Sequence, residues 1–460
     1  MKISIKYILI IFSVLFFSKI NAQENIESLL KISVENNPSL KAKFNKHMAD
    51  LQKVPQVGSL PDPNISFGYF IEPMELVSGN QRAEIQLMQM FPWFGTLKAS
   101  KNEASAMALS SFELFRAEKE EIFYKVRTSY YQLFLTQKQL QTYDTTRILL
   151  KSIEDLLLTK LGTINTSGNT NSVQQSNSAQ GNNSMGMNSG NSQSTQNSTP
   201  QMSSQAMPSS NSTFSDLLRI QVEIKELDDN IAMLQNRKQM LNIQINLLLN
   251  RTSTTEIIID ENLNIPDFDF HNPTLFDSIK VNNPMIKMNK SDLLAYQELQ
   301  QMNRKMGFPM IGLGLNYSVI DKSTMATSTM NGKDMIMPML TMSLPIYRKK
   351  YNASVKEAQY LESSASEQLI NIENMLFMEF SEYQFSLNNS ERKLLVYNDI
   401  ISLTQKSFDL LVVQYSTSGT DFEALIRLHR QLLDYKLNIY QAQVDKLSAI
   451  AGFQKLLSKN

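Results

Sequence analysis

Apolar residues recur along this chain at two different spacings, and the two alternate in a fixed order. Over residues 24–56, Ile26, Leu29, Leu30, Ile32 and Val34, then Met48, Leu51 and Val54, recur at the spacing of a helix face. From Asn64 to Phe70 the period falls to two: Ile65, Phe67 and Tyr69 point one way, Ser66 and Gly68 the other. Ala83 to Phe91 alternates likewise, with Ile85 and Leu87 against Glu84 and Gln86. Lys98–Leu161 then returns to helical spacing through Ile122, Val126, Tyr130, Leu133 and Leu140, with no proline or glycine. About 65 such residues predict a coiled-coil-like helix roughly 95 Å long. A second helix, Phe214–Leu249, is expected to fold back along it.

The whole order then repeats at an offset of about 245 to 253 residues, too long for a solenoid period. Asn36-Asn37-Pro38-Ser39-Leu40-Lys41 is echoed by Asn282-Asn283-Pro284-Met285-Ile286-Lys287, Leu60-Pro61 by Phe308-Pro309, and Phe91-Pro92-Trp93-Phe94 by Leu344-Pro345-Ile346-Tyr347. In the second copy Ile311, Leu313, Leu315, Tyr317 and Val319 alternate with Gly312, Gly314, Asn316 and Ser318. Met335–Leu344 is a less regular strand interrupted by Pro338. Tyr351–Tyr415 and Phe422–Leu457 complete a second hairpin, whose opening Phe422-Glu423-Ala424-Leu425-Ile426-Arg427 parallels Phe214-Ser215-Asp216-Leu217-Leu218-Arg219. The chain therefore divides into a first repeat, 23–250, and a second, 251–460, each a helix, two strands and a long helical hairpin.

The strands have the length and the apolar/small-or-polar dyad of a transmembrane barrel, although a half-buried sheet in a soluble domain alternates in the same way. Four strands cannot close a barrel alone, so the membrane reading requires several copies of the chain. Residues 1–22 fit this reading. Lys2 and Lys6 precede an apolar run from Tyr7 to Phe17 and then Ser18-Lys19-Ile20-Asn21-Ala22, the layout of an export signal cleaved after Ala22.

The hairpins differ at their turns. The second is tight, Tyr415-Ser416-Thr417-Ser418-Gly419-Thr420, whereas the first carries an Asn/Ser/Gln/Thr/Gly-rich insertion over 162–213. No charge occurs between Lys160 and Asp216, and a flexible loop is expected there.

Composition excludes more than it suggests. The 44 basic and 44 acidic residues balance and are dispersed, so no nucleic-acid surface is expected. There is no cysteine, which removes disulfides, thiolate sites and a lipidated N-terminal cysteine. The three histidines, His47, His271 and His429, lack metal-ligand spacing, and no phosphate loop or nucleophile elbow occurs. No enzymatic activity and no cofactor are expected. Methionine is the exception in this composition, at 25 residues. Nine lie between Met302 and Met342, namely Met302, Met306, Met310, Met325, Met330, Met335, Met337, Met339 and Met342, and the insertion adds Met185, Met187, Met202 and Met207. Thioether sulfur suits Cu(I) and, by the same softness, Ag(I). Met185, Met187, Met330, Met335, Met337 and Met339 are thus candidate weak contacts for a soft metal, while Met337, Met339 and Met342 equally suit lipid-facing or packing positions.

Gly58-Ser59-Leu60-Pro61-Asp62-Pro63-Asn64-Ile65-Ser66 and Gln89-Met90-Phe91-Pro92-Trp93-Phe94-Gly95-Thr96-Leu97 resemble the TolC family of outer-membrane efflux channels, particularly its heavy-metal, CusC- and CzcC-like branch. Asn331-Gly332-Lys333-Asp334, Leu344-Pro345-Ile346-Tyr347-Arg348-Lys349-Lys350-Tyr351 and the Tyr415/Gly419 spacing are similar to the family's second-half and hairpin-tip patterns. The resemblance implies a mixed α and β fold in an outer-membrane homotrimer. Each subunit would give four strands to a twelve-stranded barrel embedded in outer-membrane lipid and continued by a periplasmic α-helical barrel. It also implies a periplasmic adaptor and an inner-membrane pump as partners. On that pattern Leu161, Gly162, Tyr415 and Gly419 are tip residues for adaptor contact and gating, and Pro92, Trp93, Pro345 and Tyr347 mark the barrel-to-helix junction. Copper or silver export is the expected function. Export of drugs or other small molecules, a poreless helical-hairpin interaction protein and a periplasmic metal-binding protein remain alternatives.

Overall fold

The structure is a computed structural model that describes residues 25–167, 210–259, 263, 266, 268, 273–327, 329–418 and 422–458. In chain order its elements are α1 (Ile26–Asn36), α2 (Pro38–Gly58), β1 (Asn64–Leu76), β2 (Gly79–Phe91), α3 (Thr96–Ser167) and α4 (Ser210–Leu248). They continue with α5 (Leu275–Asn282), α6 (Pro284–Met306), β3 (Met310–Asp321), β4 (Met335–Ser343), α7 (Arg348–Ser418) and α8 (Phe422–Leu457). No described helix is long and apolar enough to cross a membrane.

The elements expected from periodicity form, with longer bounds. The two period-two runs of the first half become strands of 13 residues each, and the third becomes one of 12. The long helices gain turns at their ends, so Gly162 lies inside α3, and α4 already begins at Ser210. Helix therefore covers both flanks of the region expected to be loop; its middle, with Met185 and Met187, falls outside the described residues.

The repeated Asn-Asn-Pro motif breaks a helix and re-caps it. Asn37 accepts hydrogen bonds from the Ser39 and Leu40 backbone N–H groups and donates from Nδ2 to the Leu248 carbonyl at the end of α4, 2.9 Å away. Asn283 does the same in the second half, accepting from Met285 N–H and donating to the Leu456 carbonyl at 3.1 Å. In both copies proline takes the first helical position, where its missing N–H costs nothing.

The described residues form two compact units that cut across the two sequence halves. One is drawn from Met1–Leu133, Leu241–Ser390 and Val444–Asn460, the other from Phe134–Met240 and Glu391–Gln443. Of the predicted stripe, Ile122, Val126, Tyr130 and Leu133 are buried in the first unit, whereas Leu140, in the second, is only half-buried. Two clusters complete the helical core of the first unit. One joins Ile279, Ile286, Ile372, Leu376, Leu456 and Leu457. The other joins Leu387, Ala449, Ile450 and Phe453.

The first unit also holds the sheet, which is antiparallel with strand order β1-β2-β3-β4. The central β2–β3 pair joins the two sequence halves, and β1 and β4 form the edges. Pro338 is accommodated because β4 is an edge strand. At the helix-remote end, Gly79 has φ 125°, and a Cβ there would lie 2.3 Å from the Asp321 carbonyl, so only glycine fits. The β3–β4 loop is tied down by Gly332 N–H donating to Ser78 and by the Asn331 amide bridging Ser323 and Ala326.

Candidate functional site

Cross-strand register assigns every strand residue to one of two faces, because directly opposed residues project to the same side. One row reads Ile65, Leu87, Leu315, Pro338; another reads Phe67, Ile85, Tyr317, Ile336; a third reads Phe91, Ile311, Met342. This face is apolar, and it is the exposed one: Ile65 is 72% accessible, Phe67 68% and Leu340 72%. The opposite face carries the rows Ser66, Gln86, Asn316, Met337 and Gly68, Glu84, Ser318, Met335. It is more enclosed, and Asn316 on it is buried. Polar groups there bond to one another. Gln81 donates to Glu84 and Ser318, and Ser318 donates to Asn316 at 3.1 Å. A half-buried sheet in water has the reverse arrangement, polar side out.

Register also separates the candidate methionines. Met335, Met337 and Met339 share the polar face of β4, whereas Met342 lies on the apolar face and Met330 in the exposed β3–β4 loop. Among the described residues, Met337 and Met339 are therefore not on the side expected of lipid-facing residues. Two further methionines join them on the polar face, Met88 opposite Asn64 and Gly314, and Met90 opposite Gly312. The signal in the sequence is phase: within the alternating run Ala83–Phe91, Met88 and Met90 fall on the side of Glu84 and Gln86.

At the other end of the strands, the junction residues come together. Trp93 stacks on Phe308 with ring centroids 5.1 Å apart and planes at 18°. Lys305 Nζ donates to the Gly95 carbonyl, and Arg348 donates to the Gly307 carbonyl at 3.0 Å. The first-half corner at Trp93 and Gly95 is thus latched to the second half, while Arg348 ties the second-half corner to Gly307 within its own half. Pro92, Trp93 and Pro345 line a cleft of about 600 Å³, and Tyr347 instead projects outward, 78% accessible, as does Phe94 at 82%.

The second compact unit carries the tip residues. Leu161 and Tyr415 both pack on a core of Leu150, Leu157, Leu217, Ile220, Ile224, Leu227, Phe408, Phe422, Leu425 and Leu433. Tyr415 lies 5.4 Å from the Phe422 ring, and burial, with the nearby Asp216 carboxylate, pushes its hydroxyl pKa up to about 12. Gly162 lies within α3, and Gly419 falls outside the described residues. Arg430 grips Glu223 through Nε at 2.8 and 2.7 Å, and Arg219 pairs with Glu423 at 3.1 Å.

His429 is buried against Phe408, with neither ring nitrogen hydrogen-bonded among the described residues. Burial holds its pKa below the ordinary imidazole range and Lys436 adds to this, against the opposing pull of Glu223. The unfolded chain, titrating near about 6.5, then binds a proton before the folded one does. Stability is full above that value and falls as pH drops toward the folded pKa. His429→Leu is expected to stabilise this unit by about 1–3 kcal/mol, the cost of unpaired buried polar atoms, and to remove the acid sensitivity. Amide exchange over 422–443 at about pH 7.5 and 5.5 checks this. A variant as acid-sensitive as the parent would refute it.

Among the described residues, no group of three or more His, Asp or Glu side chains is placed to hold a metal ion. No protein-family model matches the chain, and no curated protein matches its sequence. Solved structures do match its fold. The chain is similar to the outer-membrane channel OprN at a TM-score of 0.68 and 14% identity, over 95% of this chain and 90% of that one. It is similar to CusC, described by its transmembrane channel formation, at 0.68 and 15%, over 94% and 91%. It is similar to the outer-membrane protein VceC of Vibrio cholerae at 0.70 and 10%, over 94% and 96%. At such identities the likeness establishes the fold, that of a TolC-like channel subunit.

Proposed function

We propose that this chain is the outer-membrane exit channel of a tripartite efflux system, and that its cargo is copper, silver or a similarly soft metal ion. The observation that carries the channel reading is the inverted sheet, whose apolar face is exposed while the opposite face carries hydrogen-bonded polar groups with Asn316 buried among them. Water penalises such a face, but the hydrocarbon of a bilayer does not. From Ile311 to Val319 it extends about 26 Å along β3, or roughly 20 Å once strands tilt by about 40°, close to the height of an outer-membrane apolar band. Exposed Phe94 and Tyr347 at the strand ends fit the aromatic girdle that borders such a band.

The edges β1 and β4 call for partners, and the simplest closure is a ring in which β4 of one copy pairs with β1 of the next. Three copies make a twelve-stranded barrel, an even number with room for a water-filled lumen. The helical hairpins then extend into the periplasm. The region of Leu161, Gly162, Tyr415 and Gly419 is where an adaptor protein docks and links the channel to an inner-membrane pump. Such a duct does no chemistry, and its selectivity resides in the groups lining it.

The cargo reading rests on methionine. With cysteine absent, thioethers are the only soft ligands in the chain, and five occupy the polar face of the sheet: Met88, Met90, Met335, Met337 and Met339. Deleting the gene is expected to lower tolerance of copper and silver salts more than tolerance of dyes or antibiotics. A strain that loses drug tolerance while keeping metal tolerance would overturn the cargo assignment. Purified protein with no conductance in planar bilayers would overturn the channel itself.

A further inference from the structure

We infer that Met88, Met90 and Met339 form a soft-metal contact site on the polar face of the sheet, built around two missing side chains at Gly312 and Gly314. The three residues come from β2 and β4, and β3 runs between them. A Cβ added at Gly312 would lie 2.6 Å from Met90 Sδ and 3.6 Å from Met88 Sδ. Two thioether sulfurs therefore converge on a single point above the backbone. A Cβ at Gly314 would lie 3.4 Å from Met88 Cε and 3.7 Å from Met339 Cβ, so Met88 bridges the two glycines toward β4. The glycines open a trough on β3; Met88 and Met90 lean into it, and Met339 borders it from β4.

Packing alone does not account for this arrangement. The residues lie on the polar face, on the same side as Gln86, Asn316 and Ser318, and outside the buried apolar clusters of the described residues. Sulfur changes the argument, since thioether ligands suit a monovalent soft cation such as Cu(I) or Ag(I). The ligands are neutral, so the ion keeps its charge and its hydration at open positions, and binding is reversible. Met337 and Met335 follow on the same face of β4, at steps of roughly 6.6 Å, which gives successive transfer points along the wall. The role of the site in transit rests on the channel and cargo readings above, but its existence does not.

The test uses the full chain purified in detergent, with Ag(I) as the probe. Bound silver is expected to protect Met88, Met90 and Met339 from peroxide oxidation to the sulfoxide, read by peptide mass spectrometry, while exposed Met325 and Met233 oxidise at their usual rate. The footprint needs no substitution, so it does not depend on a variant folding. The triple variant Met88→Leu, Met90→Leu, Met339→Leu keeps side-chain volume and removes sulfur. It is expected to bind less silver in equilibrium dialysis while being recovered from outer membranes at the parent's level. Equal oxidation of all methionines with and without silver would overturn the site, as would undiminished silver binding by the triple variant. If that variant also restored full metal tolerance to the deletion strain, the site would fail while the cargo reading stood. If deletion left metal tolerance unchanged but the footprint appeared, the cargo reading would fail and the site would stand.

Discussion

Leu315→Arg is expected to remove the protein from the outer-membrane fraction, whereas Gln86→Arg leaves its level nearly unchanged. The two positions lie near the middle of neighbouring strands on opposite faces of one sheet, Leu315 in the row of Ile65, Leu87 and Pro338 and Gln86 in the row of Ser66, Asn316 and Met337. An arginine facing hydrocarbon at the bilayer midplane costs about 2–4 kcal/mol per subunit. That amounts to roughly two orders of magnitude in the folded-to-unfolded ratio. An arginine facing a water-filled lumen keeps its hydration and costs little. Urea unfolding in phospholipid vesicles, alongside the amount of protein recovered from outer membranes, measures the difference. Equal tolerance of both substitutions, or greater damage from Gln86→Arg, would show that the apolar face does not meet lipid.

Phe453→Ala is expected to cost about 3–5 kcal/mol, the usual penalty for emptying an aromatic site in a packed core. The Phe453 side chain is fully buried, with the Phe268 ring 5.2 Å away, Phe380 5.5 Å away and Tyr383 6.0 Å away. Relaxation cannot readily fill the space. The preceding Gly452 lets the helix approach Tyr383 so closely that a Cβ there would sit 2.5 Å from the ring, so the backbone is already at contact. Phe453→Leu, which leaves a smaller cavity, should lose less. Denaturant midpoints followed by far-ultraviolet circular dichroism rank the parent and the two variants. A loss below about 1 kcal/mol for Phe453→Ala would mean that this cluster does not anchor the first compact unit.

Much of the fold was legible because it is written in period. The stripe Ile122, Val126, Tyr130, Leu133 and Leu140 announced a long helix, and its first four members are buried while Leu140 is half-buried. The period-two runs announced strands and became strands. Element ends were less legible. Gly162 marked the expected end of a helix, but α3 runs through it, since one glycine costs only about 1 kcal/mol in a helix of this length. The junction was legible as residue types, Pro92, Trp93 and Pro345, but not as a contact. Nothing local to Trp93 points to Phe308, more than two hundred residues away, as its stacking partner.

The candidate metal ligands divide in the same way. Their abundance and softness are properties of composition, and Met335, Met337 and Met339 share a parity that any reader of the strand can count. Met88 and Met90 share the phase of Glu84 and Gln86 in their own strand, but alternation in one strand does not indicate which residues of another lie beside it, so their approach to Met339 is not legible there.

By itself, then, the sequence determined the elements, their duplicated order and the two-sidedness of each strand. These follow from backbone preference and hydrophobic period, which act over a few residues. Only the tertiary structure decided the register, which brings Met88 level with Met339 across Gly314 and leaves the apolar face exposed. A slip of one residue would send the three sulfurs to opposite faces, and what prevents it is the pairing of whole strands, latched at Gly79 and at the Trp93–Phe308 stack.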